Sequence, residues 1–514
     1  MDWTAGYASD IEYTAGFYRE QSPVYLNFVC LLNGFEPVPL DRPYTYFELG
    51  CGRALTVNLV AASNPHGQFY AADFNPAHIS GARQLADAAH LKNLVLLENS
   101  FADLAEGKVS DLPQFDFITL HGIYTWVNPE NQRYIVDFIA RYLKPGGIVY
   151  LSYNALPGWA AAEPLQRLLV EHADMHPNRS DVQFDQAKAF VERLSELQAA
   201  YFVQNATLGT RLQTLKTANK NYLVHEYMHR QWQPKYHVDV VRDLADAKLD
   251  YVGSAELPLA FPSLYLSQEK QDVLKDVPDA GLRETVKDYL LNTGFRKDVF
   301  VRGARPMGTV RHDDCLRRVG LALMVPRQQI NLKMKLPFGE VSAKEELYGP
   351  ILDALAIRPH SLPELAALPA LKGQTLVSVK QIAAILIGAG NAAPYFLDQS
   401  TAAIASSQAL NHALAADARY GDDYQAFASP LLGNGIAATF VERLTHLILH
   451  RPGQKLDASH IAQQIWSIMS EQGRRMMKDG VTLTSDQDNI DELVAVVETI
   501  LKRKLVVWRQ LKMI

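Results

Sequence analysis

The sequence predicts an α/β fold with a helical insertion and a mainly helical C-terminal region. Between about residues 45 and 155, short apolar runs alternate with helical periodicity, which is typical of a parallel sheet with helices on both faces. Segment 163–220 has helical spacing and no strand-like run. Strand-like runs reappear at 250–257 and 297–304, and we expect them to return to the sheet as its last strands.

The strands and helices of the first part follow one another in a regular order. The strand-like runs are YTYFELG, GQFYAADF, NLVLLEN, FDFITLHG and IVYLSYN. The helical runs among them are VNLVAAS, PAHISGARQLADAAHL and NQRYIVDFIARYL, the second with Pro76 in its first turn. KPGG, at 144–147, is predicted to be the turn that leads into the fifth strand.

These patterns divide the chain into five predicted segments. They are an aromatic-rich helical lid at 1–44, a nucleotide-binding α/β domain at 45–162, a helical insertion at 163–220 that could serve dimerisation, a return to the sheet at 221–310, and a mainly helical region at 311–514. In the last segment, RRVGLALMVPR and QINLKMKLPF could pair as strands, and KEELYGPILDALAIRPHSLPELAAL has a helix–turn–helix rhythm. A winged-helix-like module is one interpretation, with a structural or docking role because no basic helix face is evident.

Composition narrows the classes of partner. The net charge of −6 argues against non-specific binding to nucleic acid. The three cysteines are widely spread and form no zinc spacing, which suits a cytoplasmic protein. We expect no membrane insertion, because no apolar run is long enough to cross a bilayer and the first residues do not resemble a signal peptide.

The stretch YFELGCGRALTVNLV, at 46–60, carries the strongest functional signal. Gly50 and Gly52 lie between the first strand and a helix, where backbone must bend tightly and free N–H groups face a ligand. A dinucleotide fingerprint would need a third glycine, but Leu55 stands there. Asp73, at the end of the second strand, could accept hydrogen bonds from ribose hydroxyls.

With Glu48 before the loop, ELGCGRA resembles motif I of the class I S-adenosylmethionine-dependent methyltransferases, with Ala54 in place of the third glycine. The resemblance implies a Rossmann-like, seven-stranded methyltransferase sheet with S-adenosylmethionine as cofactor and no metal. It also implies that Asn99, Ser100 and Phe101 hold the adenine ring, although the family often has an acid at the serine position. The predicted cofactor-binding residues are Tyr18, Glu48, Gly50, Gly52, Asp73, Phe74, Ser100, Phe101 and His121.

A narrower resemblance comes from HGIYTWV, LSYNALPGW, YTAGFYREQSP and YLVHEYM. These stretches are similar to bacterial methyltransferases with a methyltransferase regulatory domain, a group that includes outer-membrane-protein lysine methyltransferases. The similarity implies a homodimer and a broad open cavity. Tyr13, Phe17, Tyr18 and Pro23 could fold over the cofactor as a lid, or belong to a helix that only packs on the sheet edge.

The candidate catalytic residues follow the fourth and fifth strands. His121 could accept or relay a proton, or simply hydrogen-bond its loop. Tyr124 and Trp126 could form an aromatic wall for an ammonium, but Tyr124 could equally anchor the strand, and Trp126 could be a core residue. Tyr153, with the neighbouring Asn154, could present polar atoms to the same place.

Four functions remain open on the sequence alone. The first is transfer of a methyl group to a protein side chain, with lysine favoured; the second is methylation of a small molecule. The third is a non-catalytic protein that senses the cofactor. The fourth is a zinc protease, because HEYMH at 225–229 matches the H-E-x-x-H spacing, although no third ligand is evident.

Overall fold

The structure is a computed structural model that describes residues 15–397, 402–451, 453 and 456–514. Its centre is a seven-stranded sheet with strands in the order β3-β2-β1-β4-β5-β7-β6. The strands are β1 Thr45–Leu49, β2 Gln68–Asp73, β3 Leu94–Glu98, β4 Phe115–Leu120, β5 Leu143–Asn154, β6 Leu249–Ser254 and β7 Phe295–Arg302. Strands β1 to β5 pair in parallel, and β7 runs antiparallel to both β5 and β6. The prediction that the last two strands return to the sheet is confirmed.

The predicted turn at 144–147 is wrong, because this segment lies within β5. The strand pairs with β4 at Leu143 and again from Ile148, so the register shifts across the segment. Gly146 adopts a positive φ of 77°, which produces a local bulge without ending the strand.

Helices cover both faces of the sheet. In the first part of the chain they are α1 Pro23–Leu32, α2 Leu55–Ser63, α3 Pro76–Ala88, α4 Phe101–Glu106 and α5 Pro129–Tyr142. Side chains that alternate along the strands reach opposite layers: Tyr46 packs in the core that includes α1, whereas Phe47 packs in the core that includes α5. All ten residues of α1 are buried, so this helix is part of the core.

The helical insertion forms its own small core beside the sheet. Its helices are α6 Glu163–Asp174, α7 Ser180–Glu196, α8 Ala200–Gln204, α9 Leu208–Thr217 and α10 Lys220–Tyr227. Leu165, Phe184 and Leu215 meet Trp159 and Tyr227 in one apolar cluster. Helix α10 therefore packs with the insertion, although the predicted segment boundary lay at residue 220.

Four helices accompany the last strands of the sheet and lead out of it. They are α11 His237–Ala245, α12 Gln268–Lys275, α13 Ala280–Leu291 and α14 Thr309–Arg317. Short 3-10 segments are found at Arg19–Gln21, Leu257–Ala260, Pro262–Leu264, Arg327–Gln329 and Pro369–Leu371, and a π-helical turn at Ile500–Lys504.

The C-terminal region is mainly helical, with several small sheets. Its helices are α15 Glu345–Ile357, α16 Leu362–Ala366, α17 Leu376–Gly388, α18 Ala402–Asp417, α19 Phe440–Leu449, α20 Ala458–Glu471, α21 Asp486–Thr499 and α22 Leu505–Gln510. Its strands are β8 Val319–Leu323, β9 Lys333–Leu336, β10 Gly339–Ser342, β11 His360–Ser361, β12 Ala392–Phe396, β13 Ala426–Ser429, β14 Asn434–Ala437, β15 Met477–Lys478 and β16 Val481–Thr482.

The predicted pairing of the first two C-terminal strands is wrong. Strand β8 lies between β11 and β12, while β9 forms a hairpin with β10, because Pro337 and Phe338 leave β9 and β10 close enough to pair locally. The helix–turn–helix rhythm appears as α15 and α16, joined through β11. Helix α17, which follows them, is largely buried, and its Lys380 donates a hydrogen bond to the carbonyl of Leu32.

The C-terminal region shares its core with the sheet domain. Helix α18 and the β13–β14 hairpin pack on α2, the helix that begins at the glycine loop. Asn64 at the end of α2 donates to the carbonyl of Gly433 at 2.9 Å, and Asn434 donates to the carbonyl of Arg19 at 2.9 Å. The C-terminal region thus contacts both α2 and the N-terminal segment. Across the described part of the chain, no helix is long and apolar enough to cross a membrane.

Candidate functional site

A cavity of about 720 Å³ lies at the carboxyl ends of the parallel strands and continues to the helical insertion. Ligands of open α/β sheets bind at this edge. All but two of the predicted site residues line the cavity; those that do are Tyr18, Glu48, Gly50, Gly52, Asp73, Phe74, Ser100, Phe101, His121 and Trp126. We call the part between the glycine loop and Phe101 the cofactor end, and the part between Trp126 and helix α10 the acceptor end.

The glycine loop has the conformation that its residues predict. Gly50 and Gly52 have φ values of 64° and 53°, in the left-handed region that favours glycine. A Cβ at Gly50 would lie 2.7 Å from Cδ1 of Ile123, a residue of the cavity wall. Ala54, in place of the family's third glycine, keeps a φ of 56° directly before α2. The departure from the motif therefore leaves the loop geometry intact.

Asp73 is fixed by the loop that it faces. Its Oδ2 accepts a hydrogen bond from the backbone N–H of Gly52 at 2.9 Å, and its Oδ1 accepts one from the N–H of Asn75 at 2.9 Å. His78 Nδ1 lies 3.2 Å from the same Oδ1. A carboxylate offers about four acceptor sites, so roughly one remains for a ligand hydroxyl. Asp73 thus holds the glycine loop and keeps one acceptor site directed at the cavity.

Glu48 is a buried acid whose carboxyl group can accept a further hydrogen bond. Gln21 Nε2 donates to its Oε1 at 3.2 Å, the backbone N–H of Val57 also lies near the carboxyl group, and Oε2 makes no direct hydrogen bond among the described residues. Burial raises the pKa of Glu48 to about 8. A cationic ligand group would satisfy this oxygen, and S-adenosylmethionine carries an ammonium, so the residues present fit that cofactor.

Ser100 is the N-cap residue of α4, a role that the sequence analysis did not predict. Its hydroxyl caps α4: it accepts from the N–H of Asp103 at 3.1 Å and donates to Asp103 Oδ2 at 2.7 Å. Its only hydrogen is therefore used, and a bond to an adenine amine would rest on its second lone pair. Asn99 and Phe101 line the same cavity.

The N-terminal segment closes one side of the cofactor end. The ring of Tyr18 stacks on His121 with centroids 3.6 Å apart, and its backbone N–H donates to Thr56 Oγ1 at 3.0 Å. Tyr13, which was predicted to join this lid, lies outside the described residues. Pro23, the first residue of the buried α1, is core rather than lid.

His121 is a poor proton acceptor. Its Nδ1 lies 2.8 Å from the hydroxyl of Tyr150, and burial lowers its pKa to about 3. The imidazole therefore stays neutral near pH 7. The geometry favours the alternative role, in which His121 fixes its loop and supports the ring of Tyr18.

Tyr124 and Tyr153 do not reach the cavity. Tyr124 is fully buried in the core beneath α5, and its hydroxyl donates to Asp243 Oδ2 at 2.9 Å. Its loop turns after Gly122, which sends Tyr124 inward and Trp126 outward. Tyr153 donates to Asp298 Oδ2 at 2.7 Å inside the core.

The strand explains the misplacement of Tyr153. Consecutive residues of a β-strand face opposite sides, so Asn154, and not Tyr153, points into the cavity. Asn154 is buried, and its Nδ2 has no hydrogen-bond partner within the described ranges. The polar group expected at the end of β5 is therefore supplied by the neighbouring residue.

The acceptor end contains residues that the sequence did not assign to the site. Its walls include Trp126, Trp159 and Tyr222, with Arg211 and Glu226 among them. The guanidinium carbon of Arg211 lies 3.4 Å from the centroid of the Trp159 ring. The one sequence signal here was the segment HEYMH, whose His225, Glu226 and His229 all line the cavity. No cluster of three His, Cys, Asp or Glu residues suited to a metal ion exists among the described residues.

Two family models match the chain. A methyltransferase domain matches residues 47–149, and a predicted methyltransferase regulatory domain matches residues 219–302. The second match contains helix α10, and so contributes Glu226 to the cavity.

Related chains and structures extend these matches. An uncharacterized protein of Synechocystis, sll1526, is 40% identical over 499 residues, which is 97% of each chain. An uncharacterized protein of Rickettsia prowazekii, RP028, is 27% identical over 225 residues, 43% of this chain and 86% of that one. The structure of PKMT2 from Rickettsia typhi in complex with AdoHcy is 19% identical, covers 95% of this chain and 99% of its own, and has a TM-score of 0.71. A second structure of that protein gives a TM-score of 0.66.

The full-length similarity to the Synechocystis protein places both chains in one family. The two family-model matches, which contain the glycine loop and α10, identify that family. The chain belongs to the class I S-adenosylmethionine-dependent methyltransferases that carry a methyltransferase regulatory domain.

Proposed function

We propose that this enzyme methylates a protein side chain, and that lysine is the acceptor. S-adenosylmethionine supplies an activated methyl group on a sulfonium sulfur. The observation that carries the proposal is the acceptor end: the cavity continues past the cofactor end to a wall that combines Trp126 with the carboxyl group of Glu226. An aromatic ring and a carboxylate are the groups that attract an ammonium. The resemblance of HGIYTWV and YLVHEYM to lysine methyltransferases supports the same acceptor.

The cofactor end would hold S-adenosylmethionine through four groups. The backbone at Gly50 and Gly52 lets the ligand approach closely. The remaining acceptor site of Asp73 takes a ribose hydroxyl, and Oε2 of Glu48 takes the ammonium of the methionine part. Phe101 covers the adenine ring.

The other predicted residues would shape the site around these contacts. Tyr18, stacked on His121, closes the cavity on the N-terminal side. Phe74 and Ser100 line the walls near the nucleoside. Trp126 faces the acceptor. Tyr124 and Tyr153 support the site from the core and touch no ligand.

A small-molecule acceptor is the second candidate, and Arg211 is the observation that favours it. Its guanidinium lies at the acceptor end, where it could pair with a carboxylate of a small substrate.

The exposure of Tyr222, by contrast, supports the protein acceptor. Tyr222 is 39% exposed, which leaves the wall of the acceptor end partly open to a side chain from a larger partner.

One experiment separates these acceptors. Radiolabelled methyl groups from S-adenosylmethionine are transferred by the enzyme in a lysate, which is then divided into protein and small-molecule fractions. We expect label in protein, with lysine as the labelled residue after hydrolysis, and loss of label with Asp73→Ala. Label confined to the small-molecule fraction would reject the protein acceptor.

We also propose that the helical insertion forms a homodimer interface. Three of its apolar side chains are strongly exposed: Met175 at 65%, Leu197 at 70% and Val203 at 61%. Light scattering should give twice the chain mass, and Leu197→Glu should give the monomer mass. A monomeric wild-type protein would contradict this proposal.

The cytoplasm is the proposed location. Cys30, Cys51 and Cys315 are free thiols, and two of them are buried. Free thiols of this kind persist in a reducing compartment. Cell fractionation tests the proposal, and recovery of the protein outside the cytoplasm would contradict it.

A further inference from the structure

We propose that Glu226 is the catalytic residue that accepts the proton of the attacking amine. This inference rests on the proposed function, because it needs an amine as the methyl acceptor. It assigns a chemical role to the regulatory-domain segment, whose helix α10 carries Glu226.

The position of Glu226 supports the role. The residue is half-buried and lines the acceptor end of the same cavity that contains the glycine loop and Asp73. Its carboxyl group is hydrogen-bonded by the side chain of Tyr222, one helical turn earlier on α10. Glu226 therefore lies at the cavity wall with its carboxyl group held by Tyr222.

The charges around Glu226 tune its protonation. Burial raises its pKa, while the guanidinium of Arg211 and the hydrogen bond from Tyr222 lower it, and the result is a pKa of about 7. The pKa of a free lysine ammonium is about 10.4. An ordinary glutamate would take that proton at a much larger energetic cost, since the efficiency of proton transfer falls as the two pKa values move apart.

Other titratable groups at this end are weaker candidates. His229 is buried, and burial together with the neighbouring His225 lowers its pKa to about 4. Tyr222 and Tyr227 both have raised pKa values, mainly through burial, so neither takes up a proton near pH 7. Glu226 is the carboxyl group at this end that combines access to the cavity with a suitable pKa.

Besides lowering the pKa of Glu226, Arg211 would also promote loss of the proton from the incoming amine. A cation near the acceptor disfavours the charged form of an incoming amine, because like charges repel. Its stacking on Trp159 fixes the guanidinium and leaves Trp126 as the aromatic wall that faces the acceptor. The site therefore both attracts an amine and promotes loss of its proton.

The proposed reaction needs no reactant besides the amine and S-adenosylmethionine. The N–H bond of the ammonium breaks, and its proton passes to a carboxylate oxygen of Glu226. The freed lone pair on nitrogen forms the new N–C bond to the methyl carbon, while the C–S bond breaks and its electron pair stays on sulfur. Glu226 then returns the proton to water.

The test uses n-butylamine as a lysine side-chain probe. Its binding to the full chain, saturated with S-adenosylhomocysteine, is measured by calorimetry from pH 6 to pH 8. We expect wild-type binding to strengthen with pH as Glu226 ionises, and Glu226→Gln to weaken binding at pH 8 by about tenfold or more, through loss of a charge-assisted bond. Glu196→Gln, an exposed glutamate on α7, is the matched control and should bind as the wild type does.

Two outcomes would overturn the inference. One is no n-butylamine binding to the wild type, and the other is equal binding by Glu226→Gln, with S-adenosylhomocysteine affinity and melting temperature unchanged to show that the variant is folded. The proposed function fails separately, when no label enters protein in the lysate experiment. Glu226-dependent binding with label only in small molecules would keep the proton acceptor and replace lysine with a small amine.

Discussion

The two ends of the cavity are built in different ways. The cofactor end is assembled from loops that directly follow β1, β2, β3 and β4, and most of its residues lie within six positions of a strand end. The acceptor end combines Trp126 from a sheet loop with Arg211 and Glu226 from the helical insertion and α10. The residues of the insertion can therefore vary without altering the loops that form the cofactor end.

Charge differs between the two ends as well. At the cofactor end, Glu48 has one oxygen with no direct hydrogen bond among the described residues and a pKa raised to about 8, and a cationic group of a ligand would satisfy this oxygen. At the acceptor end, Arg211 offsets the effect of burial on Glu226 and keeps its pKa near 7. We propose that the first carboxyl group binds a cation and that the second accepts a proton. The following changes test whether the two ends can be altered independently.

Asp73→Asn should produce the greatest loss at the cofactor end. It weakens the acceptor of the Gly52 N–H and of a ribose hydroxyl together, so we expect S-adenosylhomocysteine to bind about 100-fold more weakly. Calorimetry measures the change. Asp87→Asn, an exposed aspartate on α3, is the control, and equal affinities for the two variants would show that Asp73 does not bind the ligand.

Gly50→Ala should affect both folding and binding. A left-handed alanine costs about 1–2 kcal/mol, and its Cβ would push Ile123 into the cavity. Gly146→Ala is the matched control, because Gly146 also has a positive φ but has open space around it. Both variants should lose unfolding free energy, with the greater loss in Gly50→Ala because of the overlap with Ile123, and only Gly50→Ala should lose affinity for S-adenosylhomocysteine, by about tenfold. Unchanged affinity of Gly50→Ala would mean that the loop is not the ligand contact.

Ligand binding should release a proton from Glu48. In the free protein its pKa is about 8, so the carboxyl group is mostly protonated at pH 7. An ammonium beside Oε2 favours the ionised form and lowers that pKa, so binding between about pH 5 and pH 8 expels up to about one proton. Calorimetry in buffers of different ionisation enthalpy measures the release. Glu48→Gln should abolish it, and no release from the wild type at pH 7 would contradict the assignment.

Tyr124→Phe should change stability and leave ligand binding intact. The variant loses the hydrogen bond to Asp243, which should lower the unfolding free energy by about 1–2 kcal/mol. Trp126→Ala, two residues away, should instead weaken n-butylamine binding by a few-fold, about the value of one cation–π contact. Denaturant unfolding and calorimetry measure the two effects. Loss of ligand binding in Tyr124→Phe would contradict the conclusion that Tyr124 lies outside the binding site.

How much the sequence could predict depends on how local the cause is. Glu48, Gly50, Gly52 and Asp73 were predictable because strand ends and a tight turn fix their positions within a few residues. Ser100 lines the cavity, but its cap to Asp103 could not be predicted because it depends on where α4 begins. For Tyr153 and Asn154, one residue of strand phase decides which side chain faces the ligand, and periodicity alone does not fix that phase.

The acceptor end could not be predicted for a different reason. Arg211 acts electrostatically on Glu226 because α9 and α10 pack in the insertion core around Trp159 and Tyr227. That arrangement depends on the rotation and packing of whole helices, and no local pattern encodes it. The helical spacing of 163–220 predicted the helices themselves, and the segment HEYMH supplies residues that line the acceptor end.

A crystal structure of the full chain with S-adenosylhomocysteine would show whether one cavity joins a cofactor end to an acceptor end. We expect ligand density between the glycine loop, Asp73 and Phe101, with the ammonium beside Glu48 and the sulfur directed toward Trp126 and Glu226. Ligand density elsewhere, or a sulfur that points away from α10, would contradict this expectation.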